Sequence, residues 1–585
     1  MNLLTSKRAR GNTPPGRARR SGGGDTLRRA LFPALLCVLM LPALALAERR
    51  ERLIEGWRPV HYDVSLVFDD ALSRLTRAET KITVRVLRDG LGVVDLDFGE
   101  LAVDGVKVGG AAARYERSGG RLNVSLPRPA RRGAQLIVSI AYHGTPKDGL
   151  VLTKDKDGNA SATGDNWPDR VHHWIPSLDH PSAKATVNFT VTAPENYRVI
   201  ATGRIGEVRA GAPGAKVWSF RERHPIPPYC MIVAVGKFSL SEPSSPPPAR
   251  KLPPVFYLVP PSQSAIAEKS FGAALPSLAL FDELVAPFPY DNLAHVVGAT
   301  RFGGMENATA IVYAANVLDP RPEQPVSARF GVQRRLVELV AHETAHQWFG
   351  DAVTPATWAD VWLSEGFATY FAGLLVERYE GEAAFREYMG RKGGEYLKYE
   401  KTRRAPIHDR DTEDLNGLLN PNSYQKGAWV LHTLRRQLGD AAFFRGVRAY
   451  YRAHLHATAT TEDLRRALER ASGRNLREFF ARWVYAAGHP AYKVSWRWRG
   501  RGAAGGGTLV LTLAQTQADA PFLTPVPVEI ADARGAVVRR LTVRPTGRET
   551  VTLVPLGSQP AEIRVDPRDT ILKEVEAQAV RRKAA

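Results

Sequence analysis

Cysteine is scarce in this sequence: its 585 residues include only Cys37 and Cys230. Cys37 lies in an N-terminal stretch with the features of an export signal, so the processed chain would keep Cys230 alone. A single thiol excludes an intrachain disulfide framework, even in an exported protein. Stability therefore has to come from size and packing, and a chain of this length is expected to form several domains.

Long hydrophobic runs are also missing beyond the N-terminus, which excludes a membrane-spanning helix in the body of the chain. The N-terminus itself has a basic region that ends at Arg28-Arg29, followed by the apolar stretch LFPALLCVLMLPALALA. This order predicts an export signal over residues 1–47, cleaved after Ala47. Pro33 and Pro42 argue against a permanent span. We therefore expect an exported bacterial protein, periplasmic or extracellular, without a stable membrane anchor; the arginine pair leaves twin-arginine and general secretory export both open.

The sequence has no cluster of basic residues interleaved with stacking aromatics. Its formal net charge is +20, but residues 1–47 hold eight lysines and arginines against one aspartate, so +13 belongs to the rest of the chain. That excess is scattered as single arginines on alternating segments. We therefore interpret it as a solvated, arginine-rich surface and expect no nucleic-acid partner.

An all-β domain is predicted over residues 48–245. Short alternating segments such as HYDVSLVF, TKITVRVL, QLIVSIAY and ATVNFTVTA are separated by glycine, aspartate and proline at the spacing of strands and turns. The proline-rich stretch SEPSSPPPARKLPP then marks a domain boundary.

Amphipathic helices are predicted to dominate residues 246–490. Segments such as VSARFGVQRRLVELVAHETAHQWF carry apolar residues at intervals of three and four. One helix is also marked at both ends: in TTEDLRRALERASG, Thr460 and Asp463 have capping-box spacing and Gly473 follows the last turn.

Strands return in the C-terminal part of the chain. Segments such as KVSWRWRG, GTLVLTLAQTQ, VPVEIAD and TVTLVPL predict a small β-sandwich over residues 491–575, before a polar tail at 576–585. The predicted fold class is therefore multidomain α+β, with a mainly helical domain between two β domains.

The stretch VELVAHETAHQWFG contains two histidines and a glutamate on an otherwise apolar helical segment. Residues four apart lie on the same face of a helix, so His342 and His346 would point the same way with Glu343 beside them. This is the H-E-x-x-H arrangement of zinc hydrolases. In it, Glu343 is placed to take a proton from the attacking water and pass it to a leaving amine.

A third ligand is available after a further eighteen residues, where Glu365 stands in DVWLSEGFATY. Two histidines and a glutamate form one of the standard catalytic zinc sets, and a second helix packed on the first would bring Glu365 to the metal. Asp360 could hydrogen-bond a ligating imidazole, but a capping or surface role for it is nearly as well supported.

The order of these motifs resembles the M1 class of gluzincin aminopeptidases, whose signature is H-E-x-x-H, eighteen residues, and E. Upstream, FGGMENATA places Gly303, Gly304, Met305, Glu306 and Asn307 where that family has its G-x-M-E-N exopeptidase motif. Downstream, NSYQKGAWVL is similar to the family's Y-x-K-G segment and contains Tyr424.

The resemblance implies a thermolysin-like catalytic domain that holds one zinc ion per chain. It implies that Glu306, within a substrate-binding segment of residues 303–307, binds the free α-amine of a peptide, and that Tyr424 hydrogen-bonds the oxyanion. The expected activity is thus removal of N-terminal residues from peptides.

Two features depart from the family pattern. Where many members have an N-domain glutamine or glutamate that helps bind the substrate amine, this chain reads TGDNWPDR, so Asp165, Asn166 or neither would take that role. The sequence is also expected to be a short form without the large C-terminal helical domain, which would leave a more open cleft.

Other functions are compatible with the same motifs. An open cleft would suit a zinc endopeptidase, one animal branch of the family hydrolyses a lipid epoxide, and some relatives keep the fold as an inert binding scaffold. The intact ligand set favours the aminopeptidase. Oligomeric state is left open, including a homo-oligomer.

Overall fold

The computed structural model describes residues 49, 51–244, 252–500 and 506–576. The predicted export signal and nearly all of the polar tail lie outside these residues. Among the residues that are described, no helix is long and apolar enough to cross a membrane.

The N-terminal part of the described chain is β-rich, as the alternating segments predicted. Its largest sheet has eight strands in the order β13-β14-β11-β1-β2-β8-β4-β5; a four-stranded sheet has the order β12-β15-β10-β9 and a three-stranded sheet the order β3-β7-β6. The strand bounds are β1 Trp57–Phe68, β2 Leu75–Val86, β3 Leu91–Asp97, β4 Ala102–Val108, β5 Ala111–Ala112, β6 Tyr115–Ser118, β7 Arg121–Ala130, β8 Gln135–Gly144, β9 Leu150–Lys154, β10 Ala160–Gly164, β11 Ala185–Pro194, β12 Arg198–Ala201, β13 Arg204–Ala210, β14 Ala215–Ile226 and β15 Val233–Gly236.

Alternation decides which side of these strands is buried. In β1, Tyr62, Val64 and Leu66 are buried in the core while the residues between them are more exposed. Successive side chains of a strand point to opposite faces, so this pattern covers one face of the sheet and leaves the other facing solvent.

A five-stranded sheet opens the central domain, and the sequence interpretation missed it. The sheet has the order β16-β17-β18-β20-β19 and pairs β17, β18 and β20 in parallel. Its bounds are β16 Ser239–Ser241, β17 Val255–Val259, β18 Leu293–Gly298, β19 Gly304–Met305 and β20 Ala310–Ala314. Parallel strands buried on both faces give continuous apolar runs without alternation, so periodicity does not reveal them. Because β16 precedes the proline-rich stretch, this sheet extends across the predicted boundary at residue 245.

Helices dominate the rest of the central domain. Their bounds are α1 Ala267–Ser270, α2 Ala274–Leu284, α3 Arg334–His346, α4 Trp362–Glu380, α5 Glu382–Glu400, α6 Gly427–Leu438, α7 Asp440–His454, α8 Thr461–Ser472 and α9 Arg477–Trp483, with a short two-stranded sheet of β21 Thr354–Pro355 and β22 Thr458–Ala459. The predicted caps of α8 are present: Thr460 and Asp463 form a capping box, and Gly473 has the left-handed conformation. Helix α4 is buried almost all round and packs on both α3 and α6.

Two further sheets follow in the C-terminal part. One has the order β27-β24-β23-β29 and the other β26-β25-β28. The bounds are β23 Ala491–Gly500, β24 Gly507–Gln515, β25 Val526–Ala531, β26 Val537–Val543, β27 Glu549–Leu556, β28 Glu562–Val565 and β29 Glu574–Val575. Leu509, Leu511 and Leu513 are buried on one sheet, and Val526, Val528 and Ile530 on the other.

The N-terminal sheets are fastened to the loop that follows α3. The ammonium of Lys184 donates hydrogen bonds to the backbone oxygens of Asp351 and Ala352 at 2.7 and 2.8 Å and to the hydroxyl of Thr354 at 2.8 Å. The hydroxyl of Tyr229 donates to the backbone oxygen of Gly350 at 3.2 Å. These bonds tie the residue before β11 and the turn after β14 to the loop that follows α3.

Replacing Lys184 with methionine should destabilise this junction. The change removes the ammonium that donates to the backbone oxygens of Asp351 and Ala352 and to the hydroxyl of Thr354, so we expect the free energy of unfolding to fall by about 2 kcal/mol. The exposed Lys81→Met variant is the matched control and should change stability by less than about 0.5 kcal/mol. Thermal unfolding of both variants tests this, and equal stability would show that Lys184 does not hold the junction.

Candidate active site

Two packed helices bring the predicted metal ligands together. His342 and His346 lie on the last turns of α3, and Glu365 lies in the first turn of α4. The Nε2 atoms of the two histidines are 3.1 Å apart, and each is 3.3 Å from Oε2 of Glu365. Oε2 of Glu365 is buried and accepts no hydrogen bond from the described residues.

This donor set fits a zinc ion. Ligand atoms that lie about 2.0–2.1 Å from a tetrahedral zinc stand roughly 3.3 Å from one another, close to the separations seen here. Two imidazole nitrogens and one carboxylate oxygen are also the atoms that zinc binds at catalytic sites, where a fourth position stays open. A buried carboxylate oxygen without a donor is what such an ion would satisfy.

The imidazole of His346 is oriented by Ser364 and by the backbone. Its Nδ1 lies 2.9 Å from the hydroxyl of Ser364 and 3.1 Å from the backbone oxygen of Phe349, which leaves Nε2 facing the other ligands. Gly350, at φ +134°, allows the chain to turn here, and a side chain on it would press against Ser364. The sequence did not single out Ser364, since a serine beside a ligand carries no motif.

The interpretation of Asp360 as a partner of a ligating imidazole is wrong. One carboxylate oxygen of Asp360 accepts hydrogen bonds from the backbone amide and hydroxyl of Thr461, at 2.9 and 2.7 Å, and the other accepts from Thr357. The carboxylate therefore joins the segment before α4 to the start of α8. The bonds of Asp360 thus go to Thr461 and Thr357 and not to a ligating histidine. The hydrogen bond to the imidazole of His346 comes from Ser364 instead.

Glu343 and Glu306 add two buried carboxylates to the same pocket. Oxygens of both lie within 4.8 Å of a ring nitrogen of His346 and of each other. Gly304, at the start of β19, approaches Glu343 so closely that a Cβ there would overlap the carboxylate. The glycine therefore lets the strand that leads to Glu306 lie directly against Glu343.

The pKa values in the pocket reflect this concentration of negative charge. Burial raises the pKa of Glu343 well above its usual range, with repulsion from Glu306 and Glu365 adding to the effect. Burial also raises the pKa of Glu306 to about 7, and the charge of Glu365 contributes. Three carboxylates so close together need a positive charge among them.

The two histidines respond in opposite ways. Burial lowers the pKa of His342 to about 4, which keeps its imidazole neutral as a metal ligand must be. For His346, burial acts in the same direction, but the charges of Glu306 and Glu365 outweigh it and raise the pKa to about 10. The carboxylates around His346 thus favour a positive charge at this position, which a divalent cation bound by its Nε2 would supply.

Tyr424 lies in a turn of π-helix, Asn422–Lys426, immediately before α6. Its ring stacks on that of His342 with centroids 5.8 Å apart and planes within 11° of each other. Burial raises the pKa of Tyr424 well above its usual range, with repulsion from Glu365 and Glu306 adding to it. The phenol thus remains a hydrogen-bond donor at the edge of the pocket, and π-turns of this kind are common at functional sites.

Neither candidate N-domain residue is free to bind a substrate amine. The carboxylate of Asp165 accepts hydrogen bonds from Arg170 and from Thr300, both at 2.9 Å. The amide of Asn166 donates to the backbone oxygen of Met231 and accepts from Trp174. Asn166 therefore serves the internal packing of the N-terminal domain, and Asp165 also joins this domain to Thr300 of the central one.

The pocket also has apolar walls that no motif indicated. Trp167, Phe302 and Leu419 line it together with Met305 and the charged residues. Trp167 is buried, with an indole nitrogen that finds no partner among the described residues. These residues come from loops of both domains, so sequence spacing alone could not group them.

Comparison with known proteins indicates the family to which the chain belongs. The model of the peptidase M1 N-terminal domain matches residues 58–230, and that of the peptidase family M1 domain matches residues 274–483. A probable aminopeptidase 1 from Saccharolobus solfataricus is 25% identical over 414 residues, which are 69% of this chain and 50% of that protein. Aminopeptidase N of Streptomyces lividans is 31% identical over 332 residues, 53% of this chain and 36% of the relative. The chain spans about half the length of the curated relatives it matches, or less.

Two solved structures share the fold. An M1 zinc metallopeptidase from Deinococcus radiodurans superposes with a TM-score of 0.60 at 24% identity, covering 74% of this chain and 94% of that one. Legionella pneumophila aminopeptidase A, solved in complex with aspartic acid, gives a TM-score of 0.77 at 16% identity, covering 90% of this chain and 60% of the other.

Metal analysis tests the ligand set directly. We expect the purified chain to hold one zinc ion. His346→Ala should weaken zinc binding by more than about 100-fold, because loss of a residue that only orients a ligand typically weakens metal affinity by about 10- to 100-fold. The control is His454→Ala, on α7, which should keep the full zinc content. Elemental analysis after gel filtration measures both, and unchanged zinc in His346→Ala would rule out this ligand set.

Proposed function

The chain belongs to peptidase family M1, and on that premise we propose that it is a zinc-dependent aminopeptidase that removes N-terminal residues from peptides. One observation carries this proposal: the three ligand atoms of His342, His346 and Glu365 share a buried pocket with the carboxylates of Glu343 and Glu306. The pocket thus combines a metal site, a proton carrier and an anchor for a cation within a few ångströms.

His342, His346 and Glu365 would hold the zinc ion. When bound, zinc supplies Lewis-acid chemistry, which makes a water more acidic and polarises the scissile carbonyl. The side chains around it would carry out the rest of the reaction.

Glu343 is proposed as the general base. Its carboxylate lies beside the ligands, held in place by the close approach of Gly304. It would accept a proton from the attacking water and donate it to the leaving amine as the peptide bond breaks. A carboxylate in a buried site holds a proton more readily than one in water, which suits a group that must carry it between two steps.

Glu306 is proposed as the anchor of the substrate's α-ammonium. Since Asp165 and Asn166 are engaged elsewhere, Glu306 is the carboxylate in the pocket that remains after the ligand and the base are assigned. A charge-assisted hydrogen bond from the ammonium to Glu306 would place the first peptide bond beside Glu343. The cut would then fall after the first residue.

Tyr424 is proposed as the donor to the oxyanion. Its phenol keeps its proton at neutral pH and stands over His342 at the pocket edge. A preorganised donor aimed at developing negative charge typically contributes several kcal/mol to the barrier. We also propose that the central domain is thermolysin-like and that a β-sandwich follows it.

A panel of aminoacyl-arylamides and their N-acetylated counterparts tests the chemistry. We expect hydrolysis of free-amine substrates, its loss with a chelator and its return with zinc. Glu343→Gln and Tyr424→Phe should each lower kcat by at least about 10²-fold, because they remove a proton carrier and an oxyanion donor. The control Glu283→Gln, on the exposed face of α2, should keep full activity.

The same panel separates the competing functions. Glu306→Ala should lower kcat/KM for free-amine substrates by about 10- to 100-fold, the cost of a lost charged hydrogen bond. Equal cleavage of acetylated substrates by the unaltered protein would instead indicate an endopeptidase. No hydrolysis by zinc-loaded protein would indicate an inert scaffold.

We also propose that the chain is exported, on the strength of the basic and apolar order of residues 1–47 and of Ala47 at its end. Expression of the full sequence in a bacterial host should yield a periplasmic or secreted product that begins at Glu48. Intact-mass analysis of the fractionated cells measures this, and a cytoplasmic product that keeps residues 1–47 would contradict it.

A further inference from the structure

Gln347 follows His346 directly and is fully buried. It takes no part in the zinc or proton chemistry proposed above. Its side chain nevertheless contacts the loop that carries Glu306, so it joins the end of α3 to the amine anchor.

Every polar atom of the Gln347 side chain is engaged. The amide nitrogen donates to the backbone oxygen of Glu306 at 3.0 Å, to that of Asn307 at 3.3 Å and to the carboxyl group of Asp351 at 2.7 Å. The amide oxygen accepts the backbone N–H of Thr309 at 2.9 Å. The orientation of the amide is fixed, because reversing it would face an oxygen with backbone oxygens and leave the Thr309 N–H without an acceptor.

The loop that carries Glu306 links two strands, and besides Gln347 it bonds to the backbone of Ala294 and Cys230. Strand β19 ends at Met305 and β20 begins at Ala310, so residues 306–309 lie outside the strand ladder. Within this stretch Thr309 has φ +66°, a conformation that costs free energy for a residue with a side chain. Gln347 bonds to the backbone of Glu306, Asn307 and Thr309 within this stretch and so ties it to the residue that follows His346.

We propose that Gln347 is the positioning residue that sets the spacing between the amine anchor Glu306 and the metal ligand His346, and thereby confines cleavage to the first peptide bond. This inference rests on the proposed function. If the loop moved relative to the ligands, the ammonium would still bind, but a different peptide bond would reach Glu343. Reactions of this kind are sensitive to misplacement of about 1 Å.

The test uses Gln347→Met, which keeps the length of the side chain but can neither donate nor accept these bonds. The matched control is Gln515→Met in the C-terminal sheets. Gln515 is also buried, donates to the backbone oxygen of Phe522 at 2.9 Å and accepts its N–H at 2.8 Å, so the control loses the same kind of contact away from the pocket.

The readout is the position of the cut. A free-amine hexapeptide beginning with leucine is digested to low conversion. Mass spectrometry then compares the amount of leucine, released by a cut at the first bond, with that of the N-terminal dipeptide, released by a cut at the second bond. We expect the ratio of first-bond to second-bond cleavage to fall by about tenfold or more in Gln347→Met. The ratio should be unchanged in Gln515→Met. For a leucyl-arylamide, Gln347→Met should raise KM by a larger factor than it lowers kcat.

One result would overturn the inference. A Gln347→Met protein that is slower but keeps the wild-type ratio would show that Gln347 only supports the fold. Failure of the proposed function looks different, since the unaltered protein would then show no first-bond preference. If Gln347→Met does not fold, as judged by its melting temperature, the same ratio measured on Gln347→Asn, whose amide reaches less far by one methylene, decides the matter in the same way.

Discussion

Three carboxylates, from Glu306, Glu343 and Glu365, lie together in one buried pocket, and their mutual repulsion governs the rest of the site. Burying a charge without a partner is costly, so such a group must be neutralised by a cation or by protons. The ring of His346 lies among these charges, which raise the pKa of its imidazole. A divalent cation among the ligand atoms would neutralise them more fully and would leave Glu343 and Glu306 for the proposed roles toward the substrate.

Holding these groups together requires rigid support from several directions. Ser364 and the backbone of Phe349 orient one imidazole from behind, while Gly304 brings a strand against Glu343. The loop that follows α3 is fastened by Lys184 from the N-terminal domain. The β domain therefore supports the loop at the end of α3, and its residue Trp167 lines the pocket.

The proposed role of Gln347 belongs to this support. Here a single buried amide joins the end of α3 to the loop that carries Glu306. A side-chain amide both donates and accepts hydrogen bonds, so Gln347 can bind backbone carbonyl and N–H groups at the same time. In the proposed role it would make the spacing between the substrate ammonium and the metal depend on the main chain and not on the side chain of the first residue.

Some of this could be predicted from sequence. Spacing along a helix determines which side chains share a face, so His342, Glu343 and His346 could be grouped, and capping rules placed the ends of α8 at Thr460 and Gly473. Alternation identified the β domain, because half-buried strands have a period of two. The central parallel sheet was missed, since strands buried on both faces lack that period.

The tertiary structure decided the rest, because contacts between distant residues follow from packing. Asp360, close in sequence to Glu365, turned towards Thr461, whereas Ser364 reached the imidazole. Asp165 and Asn166 were absorbed by internal hydrogen bonds, which only the three-dimensional environment could reveal. The sequence by itself determined the chemical groups and their local geometry on a helix; the fold determined which of them meet, since hydrogen bonding and burial depend on neighbours that the chain order does not specify.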